Sequence, residues 1–423
     1  MEQPQLKYQS AGIVILADDL TGANDTAIQF VNRGFSALVF IHSVPVHTGL
    51  FDKYNVISIN TNSRGLNADD AYNAVYDAAK QLGAGYVVYK KVDSVLRGNP
   101  GRELAALMDA LNFPLALAAP SFPANGSVLE NGMIHGTDAV RIFADGTGRK
   151  TENIPLEEIR RGVGAVTEFI NTHNSGGTQV FVADAVSDDD LKIIYRASAA
   201  LGRPHILTGS AGLAGQMARC LGKGRTIPVS QLPVLSPALV IAGTRQRETA
   251  VQIRVLCEKY NAPVTPFKVC LIADGRAEEA AATAYAGAVQ QMKQNAAVCI
   301  IAVESMFCSE TTDNGTVRNY AEGDETGMAI STALGNLCEK LMGTFRFPVI
   351  LSTGGDTSLA ICRRLGIQAI EPLAEMCPGI PLGRVSGGAY DGHFIITKSG
   401  RFGNPGALVE IMDHLGGARF SNM

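Results

Sequence analysis

The sequence predicts an α/β protein of two domains, with mostly parallel sheets that face a shared cleft. Three observations lead to this fold class. Short apolar runs alternate with amphipathic helical runs along the chain. Glycine supplies 45 of 423 residues and aromatic residues only 6%, which favours glycine-turned α/β folds over a β-sandwich. Three prolines between Thr226 and Pro237 interrupt a chain too long for one usual domain, so a linker is expected there.

The expected linker, residues 227–236, divides the chain into a first domain of residues 1–226 and a second of residues 237–423. In the first domain, strand-like runs bounded by turn residues alternate with helical runs. The predicted strands are residues 12–16, 55–60, 86–89, 115–119, 179–183 and 205–207, and the predicted helices are 25–33, 68–82, 102–111 and 188–201.

The same alternation resumes after the linker, so the second domain is also predicted to be α/β. Its predicted strands are residues 238–242, 297–303, 348–351 and 393–397, and its predicted helices are 248–259, 326–342, 358–365 and 406–415. A cleft between two such domains is the usual place for a reaction with two substrates.

The net charge and the cysteines of the chain limit which classes of binding partner and metal site are expected. With 36 basic and 40 acidic residues, the chain has a net charge of -4 and lacks the basic surplus typical of nucleic-acid or anionic-membrane binding. The 8 cysteines form no Cys-x-x-Cys pair, which argues against a zinc site. The N-terminus lacks the apolar core of a signal peptide, and no run is long enough to span a membrane. We therefore expect a cytoplasmic protein with small-molecule partners; the sequence leaves the oligomeric state open.

The segment 17–26, ADDLTGANDT, is the most informative in the chain. It places Asp18 and Asp19 directly after a predicted strand and before the expected helix. Open α/β sheets bind their ligands at such strand-to-helix turns. The alternative is a helix capped by Asn24 or Asp25, but a cap needs only one carboxylate.

Polar residues also follow two further strands of the first domain, in segments 60–64 and 90–99. Because parallel strands project these turns to one edge of the sheet, the side chains are expected to converge there. Arginine, lysine and aspartate together suit a small anionic polyol, although charges that merely flank surface turns are the alternative. The expected cluster consists of Asp18, Asp19, Arg64, Lys91, Asp93, Ser94 and Arg97.

The second domain carries three glycine turns of the kind that bind phosphate. Gly354 and Gly355 stand between a strand and a helix start, where unpaired N–H groups and the positive helix end face an anion. Gly243-Thr244 and the segment 398–405 are further places of this type. The chain has no P-loop sequence, and Gly209-x-x-Gly212-x-x-Gly215 has the wrong spacing for a dinucleotide turn. Together these turns predict a binding site for the phosphates of a nucleotide.

Segments 17–26, 90–99, 353–357 and 398–403, in this order across nearly the whole chain, resemble the four-carbon acid sugar kinases, formerly a domain family of unknown function. The resemblance implies an N-terminal domain, residues 1–226, that binds a four-carbon acid sugar, and a C-terminal nucleotide-binding domain. It also implies ATP-dependent phosphorylation of a terminal hydroxyl on a four-carbon sugar acid.

Carried over by motif, the resemblance assigns the substrate to the cluster given above. The loop Gly243-Thr244-Arg245-Gln246 departs from the Gly-Ser pattern usual in the family, whereas Asn24-Asp25-Thr26 resembles the branch that acts on D-threonate or D-erythronate. The expected reaction is D-threonate to 4-phospho-D-threonate. The residues expected to meet ATP are Thr244, Gly354, Gly355, Asp356, Thr357, Lys398 and Gly403.

In-line phosphoryl transfer needs little more than position and charge from the protein. Asp93 is expected to be the carboxylate nearest the hydroxyl, with Asp18 or Asp19 as rivals, and Asp356 to be the carboxylate on the Mg²⁺ side of ATP. D-erythronate and 3-oxo-tetronate 4-kinases are alternatives. A sugar-acid sensor without catalysis would need no phosphate turns, and a dehydrogenase would need a nicotinamide site.

Overall fold

The structure is a computed structural model that describes residues 12–82, 85–222, 233–294, 297–307 and 325–416. The chain divides into two compact units, Met1–Thr226 and Ile227–Met423. Residues 227–232 of the expected linker lie outside the described residues. That the two sheets face a shared cleft stays a prediction.

The main sheet of the first unit has only parallel neighbours. The strands of the unit are β1 (Ile13–Ala17), β2 (Ala37–Phe40), β3 (Val56–Asn60), β4 (Val87–Lys91), β5 (Ala116–Ala119), β6 (Leu129–Glu130), β7 (Met133–Ile134), β8 (Thr137–Asp138), β9 (Thr151–Ile154), β10 (Val180–Ala183) and β11 (Ile206–Gly209). The order in the sheet is β2-β3-β1-β4-β11-β5-β10-β9, and β6, β7 and β8 form a small separate antiparallel sheet.

The helices of the first unit connect these parallel strands, as crossover connections require. They are α1 (Leu20–Val31), α2 (Ala68–Lys80), α3 (Pro100–Leu111), α4 (Ala139–Thr147), α5 (Leu156–Arg160), α6 (Val163–Ser175), α7 (Asp188–Ala200) and α8 (Ala211–Leu221). Helix α1 begins five residues before the predicted residue 25, because the Asp19 carboxylate accepts a hydrogen bond from Gly22 N at 2.8 Å and caps the helix there. Residues 20–24 therefore lie in the first helical turns, not in the expected loop.

The carboxyl end of β1 is a topological switch point. The strands β2 and β3, which follow β1 in the chain, lie on one side of β1 within the sheet, and β4 then pairs with β1 on its other side. Ala17 at the end of β1 is in register with Asn60 of β3 and Lys91 of β4. Ligands of open α/β sheets bind at such points, so the segments after β1, β3 and β4 are well placed to form a site.

The second unit has a mostly parallel sheet. Its strands are β12 (Ala238–Ala242), β13 (Val264–Phe267), β14 (Val298–Val303), β15 (Val349–Thr353), β16 (Ala369–Cys377), β17 (Ile380–Ser386) and β18 (Phe394–Lys398). The order is β13-β14-β12-β15-β18-β17-β16, and β17 is antiparallel to both of its neighbours. Here the switch point lies between β12 and β15, since the chain runs from β12 to β13 and β14 on one side before β15 adds on the other.

The helices of the second unit are α9 (Arg247–Tyr260), α10 (Val269–Ala273), α11 (Ala277–Lys293), α12 (Glu325–Thr344), α13 (Gly355–Arg364) and α14 (Ala407–His414). The strands β12, β14 and β15 are buried along their whole length, which explains their continuous apolar sequences. None of the helices in the described ranges is long and apolar enough to cross a membrane.

Candidate functional site

Arg64 brings the first predicted side chains together at the switch point of the first unit. Its Nε and Nη2 donate to the two carboxylate oxygens of Asp18 at 2.8 and 2.9 Å, and its Nη1 donates to Asp19 Oδ2 at 2.7 Å. Burial alone would raise the pKa of Asp18, but the nearby charges of Arg64, Lys91 and Lys90 outweigh it and hold the pKa below its usual value. Asp18, Asp19 and Arg64 therefore form one hydrogen-bonded cluster.

Asp93 lies beside this cluster and is held by donors on both oxygens. Its Oδ2 accepts hydrogen bonds from Arg97 N at 3.1 Å and Arg97 Nε at 3.0 Å, and its Oδ1 accepts one from Arg97 Nη2 at 3.1 Å. Arg64 Nη2 lies 3.9 Å from Asp93 Oδ1. Burial raises the pKa of Asp93, yet the charge of Arg64 and the hydrogen bond and charge of Arg97 lower it well below its usual value. These contacts suit an anchor for two arginines better than a proton acceptor.

Lys91 differs from the two arginines. It is buried at 4% exposure, and among the described residues no carboxylate forms an ion pair with its ammonium. A Cβ built on Gly22 would lie 2.9 Å from Lys91 Nζ, so the ammonium sits directly against the first turn of α1. Lys91 thus presents a nearly buried ammonium that no carboxylate of the described residues pairs with by direct contact.

The preceding residue, Lys90, points to the opposite face of β4, since side chains alternate along a strand. There it forms a fully buried ion pair with Glu103 of α3 at 2.6 Å, and its Nζ donates to Lys91 O at 2.8 Å. Burial raises the pKa of Glu103, against the opposing charge of Lys90. This ion pair anchors the end of β4 to α3 on one face of the sheet, and Lys91 lies on the opposite face, against α1.

Ser94, the last predicted residue of this cluster, is half-buried. Its carbonyl oxygen accepts a hydrogen bond from Ser127 Oγ at 2.5 Å, and Ser127 Oγ lies 3.1 Å from His135 Nε2. The small sheet of β6, β7 and β8 is thereby tied to the segment that carries Asp93. This contact was not expected from the sequence, because Ser127 and His135 lie far from Ser94 along the chain.

Three glycine turns of the second unit meet at its switch point. A Cβ built on Gly243 would lie 2.0 Å from Thr357 Oγ1, and one on Gly354 would lie 3.5 Å from Thr244 N. A Cβ on Gly400 would lie 2.4 Å from Thr244 Oγ1. The structure therefore brings together Thr244, Gly354, Thr357 and the turn after β18.

The start of α13 has the geometry of an anion site. Gly354 precedes the helix with a φ of +103°, a conformation that favours glycine, and it supplies no side-chain cap. Helices α1, α7 and α8 have side-chain caps from Asp19, Ser187 and Ser210, whereas α13 shares its lack of a side-chain cap with α9 and α14 of its own unit. The first N–H groups of a helix without such a cap can bind a phosphate. Gly355 and Asp356 lie in this first turn, with Asp356 exposed.

Lys398 has a different place from the one expected of an ATP contact. Its ammonium is buried and donates to Thr249 Oγ1 at 3.0 Å, Ser399 O at 3.0 Å and Gly400 O at 3.3 Å. Burial lowers the pKa of Lys398 to about 7, although the nearby charge of Glu248 opposes the shift. In this structure Lys398 holds the turn that follows β18.

Gln252 holds the next part of the same turn, where Gly403 has a φ of +88°. Its Nε2 donates to Phe402 O, Gly403 O and Asn404 O at 3.0, 2.9 and 3.0 Å. Sequence reasoning missed Gln252 and Thr249. Their signal is an uncharged polar pair three residues apart, on the buried face of α9.

Two family models match the chain. A model described as a sugar-binding N-terminal domain matches residues 13–217, and one described as a nucleotide-binding C-terminal domain matches residues 239–408. Among curated relatives, the D-threonate kinase of Salmonella typhimurium is 27% identical over 95% of this chain and 98% of its own. The D-erythronate kinase of Heliobacterium modesticaldum is 26% identical, over 96% and 97%. The 3-oxo-tetronate kinase of Pseudomonas fluorescens is 30% identical, again over 96% and 97%.

Solved structures share the fold. A Haemophilus influenzae protein superposes with a TM-score of 0.66 at 22% identity, over 95% of this chain and 99% of its own. A protein of Salmonella typhimurium LT2 superposes with a TM-score of 0.74 at 21% identity, over 94% and 98%. The α/β architecture described above is therefore one that experiment has also found.

Proposed function

Because the chain belongs to the four-carbon acid sugar kinase family, we propose that it transfers the γ-phosphoryl group of ATP to the 4-hydroxyl of a four-carbon sugar acid. We propose D-threonate as the substrate and 4-phospho-D-threonate as the product. D-Erythronate and 3-oxo-tetronates are the alternatives, since relatives named for all three substrates have similar identities of 26–30%.

The observation that carries this proposal is the buried Lys91 ammonium, which forms no ion pair among the described residues. The two arginines of the cluster are paired with Asp18, Asp19 and Asp93, whereas the Lys91 ammonium has no ion pair among the described residues. A buried charge without a partner is costly, so an anionic ligand that pairs with it is favoured. The carboxylate of a sugar acid has this chemistry, and the aspartates around it can accept hydrogen bonds from substrate hydroxyls.

For ATP, the proposed contacts are the N–H groups of Gly355 and its neighbours at the start of α13. Thr244, Thr357 and Gly403 contribute the surrounding turns, and Lys398 supports them from behind. The contacts of Thr244 and Thr357 with the glycines of neighbouring turns support this grouping.

A metal ion fits the same place only in part. Within the described ranges no group of three or more His, Cys, Asp or Glu could hold one alone. Asp356, exposed on the first turn of α13, can share Mg²⁺ with phosphate oxygens and water, which is how proteins usually hold this ion. Bound there, Mg²⁺ supplies charge that stabilises the transferring phosphoryl group.

The proposed role of the first unit is to orient the 4-hydroxyl and to exclude water from it. Asp93, the base favoured from the sequence, is better suited to hold Arg64 and Arg97 in position, since its oxygens already accept hydrogen bonds from Arg97.

A coupled ADP-release screen tests the proposal. The purified chain is incubated with ATP, Mg²⁺ and each stereoisomeric four-carbon sugar acid, with glycerate and neutral four-carbon polyols as controls, and phosphorus NMR locates the product phosphate. D-Threonate is expected to give the highest kcat/KM, because a pocket that hydrogen-bonds each hydroxyl rejects isomers that leave its polar groups unpaired. A preference for an oxo-tetronate would overturn the substrate but keep the kinase. Absence of ADP with every acid would overturn the kinase itself.

A further inference from the structure

Asp25 is a carboxyl group near the proposed substrate site that no step described so far uses. It lies on α1 one turn after Gly22, so both residues share one face of the helix. Among the described residues, Thr26 Oγ1, at 3.0 Å from Asp25 Oδ1, is the one hydrogen-bond donor to its side chain. The second carboxyl oxygen has no such donor in the described part of the chain.

The groups that face Asp25 come from several elements. From β4 they are Lys91, whose ammonium lies against Gly22, and Tyr89, whose hydroxyl donates to Ser210 O at 2.6 Å. Asp19 at the start of α1 and Arg64 after β3 act on it through their charges. Helix α8 packs on α1, but its buried residues, such as Gly212 and Gln216, carry no titratable group.

Asp25 differs in hydrogen bonding from the other carboxylates of this site. Asp18 receives two donors from Arg64, and Asp93 receives donors from Arg97 on both oxygens. Asp19 accepts from Arg64, Thr21 and Gly22. A carboxylate whose two oxygens both accept hydrogen bonds from cations or N–H groups is a weak base. Asp25 retains an oxygen that can accept a proton.

Asp25 is buried, but less completely than the ion pair on the opposite face of β4. It is 7% exposed and Lys91 4%, whereas Lys90 and Glu103 on the opposite face of β4 are 0 and 1% exposed. Burial raises the pKa of Asp25 to about 7, with the charge of Lys91 opposing the shift and that of Asp19 adding to it. A carboxyl that titrates near neutral pH is suited to general acid–base work.

We propose that Asp25 is the catalytic base that accepts the proton of the substrate hydroxyl. The inference rests on the proposed function. As the hydroxyl O–H bond breaks, its proton goes to the Asp25 carboxylate and its oxygen forms a bond to the γ-phosphorus of ATP. The bond from that phosphorus to the β–γ bridging oxygen breaks, and its electron pair leaves with ADP. Lys91 holds the substrate carboxylate on the same side of α1, and Asp25 returns to its ionised form by losing the proton to water.

A structural role for Asp25 is the alternative, in which a protonated carboxyl simply packs between α1, β4 and α8. The two roles differ in kinetics. A packing residue replaced by asparagine of the same shape leaves the kcat and its pH dependence nearly unchanged. A proton acceptor does not, because asparagine cannot accept the proton.

The experiment compares Asp25→Asn with Asp93→Asn and with the exposed control Asp77→Asn on α2, using the sugar acid that the screen selects. For Asp25→Asn we expect kcat to fall about 10²-fold or more, with KM for both substrates changed by less than about threefold. The wild-type kcat/KM should fall below about pH 7 with a slope of one, and this limb should disappear in the residual activity of Asp25→Asn. Circular dichroism and ATP binding verify the fold of each variant.

Two results would overturn the inference. One is an unchanged kcat in folded Asp25→Asn, whether or not Asp93→Asn loses activity. The other is an acid limb that persists in Asp25→Asn and so belongs to the nucleotide phosphate. Each of these leaves the kinase activity of the wild type in place. If the wild type phosphorylates no sugar acid, the proposed function fails first and this inference fails with it.

Discussion

Arg64 binds Asp18 through a two-pronged contact, with Nε donating to Oδ2 at 2.8 Å and Nη2 donating to Oδ1 at 2.9 Å. The third nitrogen of the guanidinium reaches Asp19 at 2.7 Å, so one side chain joins the segment after β3 to the start of α1. Only arginine has donors in this planar arrangement. The relationship makes Arg64 an organiser of the site as well as a charge within it.

Arg64→Lys is expected to raise the KM for the sugar acid about tenfold or more and to leave the KM for ATP nearly unchanged. Lysine keeps the charge but cannot bind Asp18 and Asp19 together, so the carboxylates lose their fixed positions. Steady-state kinetics with each substrate varied measures the split. Arg141→Lys, on an exposed ion pair with Asp145, is the matched control and should behave as the wild type. Equal effects of the two variants would remove Arg64 from the site.

Lys91→Met should weaken sugar-acid binding about 10²-fold or more. Removing one partner of a buried, hydrogen-bonded charge pair costs several kcal/mol of binding free energy. ATP binding to the second unit should persist. Isothermal calorimetry with each ligand separately gives both numbers, and Lys80→Met on the exposed side of α2 serves as the control. Retained sugar-acid affinity in Lys91→Met would assign the substrate carboxylate to another cation.

Gly355→Val is expected to raise the KM for ATP about tenfold or more without a change in sugar-acid binding. A branched side chain at the first residue of α13 keeps phosphate away from the N–H groups there. Gly343→Val on α12, where a Cβ meets nothing within 4 Å, is the control for the general cost of valine in a helix. If the folded Gly355→Val protein has normal ATP kinetics, the phosphates bind elsewhere.

Lys398 gives a stability prediction with a defined sign. Because its pKa falls from 10.5 in the unfolded chain to about 7 in the folded protein, the unfolded chain binds more protons between these pH values. Stability due to this group therefore rises from pH 7 to pH 10.5, by a few kcal/mol at most at about 1.4 kcal/mol per pKa unit. The Tm of the wild type should gain on that of Lys398→Met between pH 7 and pH 9.5. A difference in Tm independent of pH, as expected for exposed Lys293→Met, would contradict the shift.

For Asp25 the predicted change of folding stability with pH has the opposite sign. Its pKa rises from 3.8 to about 7 on folding, so the folded protein binds more protons in this window and stability falls as the pH rises through it. Asp25→Asn, which cannot ionise, should therefore have a Tm several degrees above that of the wild type at pH 8, with a smaller difference at pH 5. Thermal unfolding at both pH values measures this. A lower Tm at pH 8 would show that the ionised carboxylate stabilises the fold.

The sequence predicts the parts of the fold that have strong local signals. The buried strands β1, β12 and β15 are predicted from their continuous apolar runs, and the turns after β12 and β15 are predicted from their glycines; all of them lie where expected. The antiparallel pair β16 and β17 was not predicted. The middle of β16 alternates between buried and half-exposed positions, a weaker pattern than a continuous apolar run, and Pro372 in β16 and Pro381 in β17 interrupt the two segments.

Within the site, sequence reasoning brings the right segments to one edge but cannot assign the pairing of charges. Arg64 engages Asp18 and Asp19, while Lys91 forms no ion pair with any residue in the described ranges. This difference depends on distances of a few ångströms between separate segments. The start of α1 shows the same limit. Asp19 and Asp25 are equally good capping residues by type, and only the structure shows that Asp19 caps the helix while Asp25 is buried inside it.

The switch-point position of the first unit's cluster has a practical consequence for engineering. Arg64, Asp93 and Arg97 belong to two short segments beyond the ends of β3 and β4, outside the hydrogen-bonded ladder of the sheet. Strands supply the rigid support and the segments after them supply the chemistry. Exchanging residues 61–66 and 92–98 with those of a relative named for another four-carbon acid is thus a route to a new substrate preference that leaves the buried strands untouched.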